Sequence, residues 1–142
     1  MTTYSMMDVL MASPTEPLPR FKRNHQLTIM FEALDNLERD PNPTNQDWDR
    51  VNNAVLMMEA LRDMGHVEDQ DGLLDDAIEA LGKAGFRSME GHNLRLDGKD
   101  IQTMRGVLQD YCEVIELLPA RVMVAAHRKA EQRVMKIIKK QK

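Results

Sequence analysis

Apolar residues in this chain recur every three or four positions rather than every two, a spacing that predicts helices punctuated by proline and glycine. Over residues 24–40, Leu27, Met30, Phe31, Leu34 and Leu37 share one face, and Pro41 and Pro43 end the run. Thr44 opens the next helix, with Asp47 three residues on in the arrangement of a capping box. Its stripe is Trp48, Val51, Val55, Met58 and Leu61, and Gly65 is the expected stop. Residues 71–85 read the same way: Asp71 caps, Leu74, Ala77, Ile78 and Leu81 pack, and Gly85 stops. Residues 86–96 are expected as loop, although Glu90 and Gly91 leave a tiny hairpin open; a two-stranded ribbon is marginal by itself. Asp97 opens a long helix with the stripe Ile101, Met104, Leu108, Tyr111, Ile115 and Leu118. Pro119 then stops or kinks it, and a final helix runs over about 120–140.

Ahead of these lies a short apolar stretch, residues 4–13, dense in Met6, Met7, Val9, Leu10 and Met11. Pro14, Pro17 and Pro19 follow and predict an extended linker, because proline disfavours helix in the residue before it. Residues 1–20 are therefore expected as a tethered apolar segment and linker, and residues 21–142 as the folded domain. The expected fold is all-α: a bundle of four main helices joined by short connections, plus the short N-terminal helical segment. That segment either folds back on its own core or docks on another chain, a second copy or a different partner.

Composition fits a single domain with its own core: 142 residues, 42% hydrophobic and 30% charged. No stretch approaches the roughly 18 apolar residues of a membrane span, so no membrane role is expected. There is no basic-then-apolar leader, and one cysteine, Cys112, forms no internal disulfide, so a reducing cytoplasm is the expected compartment. Twelve methionines stand against six aromatic residues. Methionine suits both an irregular helical core and an adaptable binding surface.

Charge is unevenly spread. Residues 120–142 hold eight Lys or Arg and one acid, net +7, whereas residues 1–119 hold 11 and 22, net −11. Laid out at about 100° per residue, the last helix gathers Met123, Ala126, Ala130, Val134, Ile137 and Ile138 on one side. Arg121, Arg128, Lys129, Arg133, Lys136, Lys139 and Lys140 spread over the other. Three readings of this ridge are open: a solvated face drawn to the acidic body, a phosphate contact, or a contact with an acidic protein surface. Scarce aromatics and the lack of any standard DNA-reading motif weigh against nucleic acid. The lack of Trp or Phe on the apolar side weighs against a membrane foot.

The candidate chemistry is thin. Residues 67–79 carry the Asp69, Asp71 and Gly72 of a calcium loop, but Val67 and Ile78 occupy the first and last ligand positions. His25, His66, His92 and His127 make no zinc-type pair, and no phosphate-binding glycine loop is present. No metal, cofactor or catalytic residue is therefore expected, and the chain reads as a non-enzyme.

Residues 94–134, "LRLDGKDIQTMRGVLQDYCEVIELLPARVMVAAHRKAEQRV", resemble the C-terminal half of small helical proteins carried by proteobacterial phages and plasmids. The resemblance implies a mobile-element accessory that binds and modulates or blocks a host or defence protein complex. The partner-binding residues expected from the patterns are Arg121, Arg128, Lys129, Arg133, Lys136, Lys140, Met6, Met7 and Leu10. The alternative is a nucleic-acid-binding regulator that uses the basic last helix, and a homo-oligomer remains open as well.

Overall fold

A computed structural model describes residue 4, residues 6–69 and residues 71–140; the side chains of residue 8 and residues 137–140 lie outside the description. The fold is an all-α bundle, with no strand among the described residues. Its helices are α1 (Met6–Met11), α2 (Arg20–Arg39), α3 (Asn45–Asp63), α4 (Leu73–Met89), α5 (Gly98–Leu117) and α6 (Ala120–Lys140). Among the described residues five of these six helices are long, where four were expected, because Pro119 separates α5 from α6 as two full helices.

α3 is the hub and packs against α2, α4, α5 and α6. Its buried residues explain why. Val51, Ala54, Val55, Met57, Met58, Ala60 and Leu61 wrap more than half of its circumference, so one helix serves several neighbours. Around it Leu37, Leu81, Met104, Leu108, Ile115 and Met123 are fully buried. Each such side chain contributes about 1.5–3 kcal/mol on leaving water.

Helix ends follow local chemistry. Thr44 and Asp47 form the expected capping box: the Asp47 amide donates to Thr44 Oγ1 at 3.2 Å, and the Thr44 amide donates to Asp47 Oδ2 at 3.0 Å. Asp97 caps α5 through the amide of Asp100, at 3.0 Å. α3 ends beside Gly65, whose φ of 84° is left-handed. α4 departs from expectation at both ends. Gly72, not Asp71, holds the N-cap position, and Asp69 accepts from the Leu74 amide at 3.1 Å. At the other end the helix runs through Gly85 to Met89. Gly85 lies where the Trp48 indole crosses from α3; a Cβ there would stand 3.3 Å from the ring. Trp48 Nε1 donates to the Leu81 carbonyl at 3.0 Å and holds that approach.

Of residues 86–96, expected as loop, residues 86–89 belong to α4 and residues 92–96 are coil, with Leu94 and Leu96 sunk into the core between exposed neighbours. The N-terminal segment is docked rather than free. Tyr4, Ala12 and Leu18 are buried in the same core as the bundle. Ser13 Oγ accepts from the amides of Thr15 and Glu16 and turns the chain. The carbonyls of Ser13 and Glu16 then accept from Arg121 and Ala120, at 2.9 and 2.8 Å. The first amides of α6 lack partners within their own helix, and the proline-rich segment supplies them.

Candidate functional site

Some of the residues expected to bind a partner stand on two neighbouring elements, α1 and α6. Tyr4 meets the His127 ring edge-on, with centroids 5.1 Å apart and planes at 82°. Ser13 meets Arg121 through the backbone. Residue 4 and residues 6–13 therefore run along α6 from residue 127 back to residue 121, about 9 Å at 1.5 Å per residue. Within α1, Val9 turns inward against the core, while Met6, Met7, Leu10 and Met11 face water at 77, 65, 74 and 75% exposure. These four positions share one side of a helix. Met6, Met7 and Leu10 and the basic row of α6, read from sequence as separate features, thus stand on neighbouring elements.

The basic row is narrower than expected. Arg121, Arg128 and Lys136 are exposed on one stripe of α6 together with Ala125 and Gln132. Neither Arg121 nor Arg128 makes an ion pair among the described residues. Arg133 does not belong to this stripe. It turns toward α3, where Nη1 lies 2.8 Å from Glu59 Oε1 and Nη2 bonds Asp63. Lys129 is half-buried on the same side, and its charge adds to that of Arg133 at Asp63. The hydrogen bond from Arg133 holds the Asp63 carboxyl below the usual carboxylate range, against the opposing pull of burial. The physical reason is angular: Arg133 stands about 20° from Ala126, at the margin of the buried arc, and meets the acids of the next helix. The Lys140 side chain falls outside the described residues.

His127 and Tyr4 were missed as a pair. His127 sits on the buried side of α6, one turn from both Met123 and Ala130, and is 6% exposed. Its Nε2 lies 2.9 Å from Glu131 Oε1, off the line of a hydrogen bond, and Nδ1 has no partner among the described residues. A histidine on an apolar helical stripe was the available signal; its contact with residue 4 needs the fold.

Elsewhere the chemistry stays sparse. Among the described residues no group of three or more His, Cys, Asp or Glu could hold a metal ion. Asp69, from the calcium-like stretch, caps α4 and meets Arg62 at 3.4 Å. Burial, and then Glu116 and Glu113, push the Cys112 thiol up, away from the thiolate form that reacts. No described helix is long and apolar enough to cross a membrane. Compared with protein-family models, curated proteins and solved structures, the chain matches none of them.

Proposed function

We propose that this chain is a non-catalytic binding protein of the cytoplasm whose α1–α6 flank seats a partner protein. The partner segment is apolar on one side and acidic on the other. The carrying observation is that α1, with Met6, Met7, Leu10 and Met11 exposed, packs on α6, where Arg121 and Arg128 are exposed. Four large apolar side chains held on one face of a docked helix keep water-contacting surface that burial would stabilise by about 25 cal/mol per Å². Methionine adapts to irregular partners, and exposed arginine adds fork-like recognition of carboxylates. With the resemblance of residues 94–134 to phage and plasmid proteins, this supports a mobile-element accessory that occludes a host or defence complex.

The test is affinity capture from nuclease-treated lysate, comparing the natural chain with Arg121→Glu/Arg128→Glu and with Met7→Ser/Leu10→Ser. A specific polypeptide retained by the natural chain and lost by both variants is the expected result. Retention by both variants removes the flank from the reading. Duplex DNA bound at low salt and released steeply as salt rises, with no polypeptide captured, replaces it with a nucleic-acid regulator.

A further inference from the structure

α2, α3, α5 and α6 line a groove of about 780 Å³, within the size range of small-molecule sites. Ile29 and Met30 of α2 and Ala130, Val134 and Met135 of α6 give it apolar walls. The two polar groups that matter are Arg50 and His127, which both line it. Arg50 Nε is buried with no hydrogen-bond partner, and so is Nδ1 of the 94%-buried His127, among the described residues. Buried nitrogens left without an acceptor or donor are rare, because each keeps the cost of leaving water. Both residues line the same concave site and leave a polar ligand two nitrogens to meet.

We infer that the groove binds a linear amphiphile with a single carboxylate head, its tail against Val134 and Met135 and its head toward Arg50 and His127. Guanidinium favours carboxylate for its fork geometry. A single negative charge is what the site can balance, since Asp49 and Glu131 also line it and repel a doubly charged phosphate. Residues 127–135 of α6 span about 12 Å at 1.5 Å per residue, roughly the length of an extended ten-carbon chain. The inference does not rest on the α1–α6 docking flank, although His127 also meets Tyr4 there.

Methionine makes the test site-resolved. The full chain is labelled at its methionine methyls and titrated with sodium decanoate below its micelle concentration. Saturable shifts at Met30 and Met135 are expected, with Met6, Met7 and Met11 unmoved. Arg50→Gln weakens binding about tenfold or more, as expected for losing a charge-assisted hydrogen bond. Val134→Glu, on the exposed rim, abolishes binding while the methyl spectrum of the core stays folded. Decyltrimethylammonium, with the same tail and opposite charge, does not compete. The inference is overturned by shifts confined to Met6, Met7 and Met11, by no saturable shift at Met30 and Met135, or by full affinity in Arg50→Gln.

Discussion

Two sides of α6 use the same residue types to opposite ends. On the seam with α3, Met123, Ala126 and Ala130 are buried and Arg133 is bound by Glu59 and Asp63. On the flank with α1, methionines and a leucine face water beside Arg121 and Arg128, which stay outside any ion pair among the described residues. Arg128 and Arg133 are five positions apart and equally cationic. What separates them is what the neighbouring helix presents. Glu59 and Asp63 stand four apart on α3, one above the other, and meet the guanidinium together. The seam closes on itself; the flank is left with surface to give.

The widest gap between the two sides is expected in stability. Met123→Ala empties a fully buried site and costs about 2–5 kcal/mol, read from urea unfolding. Leu10→Ala on the flank stays within about 0.5 kcal/mol. Equal losses at both sites would abolish the distinction. The arginines give a smaller contrast. Arg133→Ala costs no more than about 1 kcal/mol, since its side chain is 32% exposed and solvent screens the pair, while Arg128→Ala is near neutral. Only Arg133→Ala should raise the Asp63 carboxyl, which a carboxylate titration by NMR follows directly.

The acid response is the narrowest of these effects and belongs to the seam. Asp63 titrates below its ordinary value in the folded chain because Arg133 bonds its charged form. Folding therefore gains from it fully above about pH 4, the unfolded value, and loses that gain as pH falls through the lower folded value. Asp47 follows the same sign: burial works to raise it, but hydrogen bonds from Asn36 and Thr44 prevail. Unfolding measured from pH 7 to pH 2.5 should show stability falling at the acid end. Asp63→Asn should flatten that fall, and Arg128→Gln should leave it as in the natural chain.

Much of the fold was legible because its signals are local. Thr44 and Asp47 are three residues apart and complete their cap without help from elsewhere. The stripes of α2, α3 and α5 needed only the helical period. Gly85 was misjudged because a glycine in a helical run is ambiguous until Trp48 is seen to cross it. Asp71 gave way to Asp69 because left-handed Gly72 inserts a turn before α4. The site was half legible. Opposition of charge and oil around α6 placed Arg121 and Arg128 correctly on an exposed stripe. The same wheel set Arg133 at the margin, and only the acids of α3 decide such a residue. Prolines left open whether the segment folds back or docks on another chain; the need of α6 for acceptors at its first amides shows only once both ends of the arrangement are in place.

That last arrangement sets an order of events. Ser13 and Glu16 hand their carbonyls to residues made more than a hundred positions later, and Tyr4 waits for His127. During synthesis the contacts of Tyr4, Ser13 and Glu16 with α6 stay unmade until residues 120–127 have left the ribosome, while α2–α5 already have neighbours to pack on. The face that carries Met6 to Met11 is thus seated only after the α2–α5 body can form. Its seating on α6 requires that synthesis has passed residue 127.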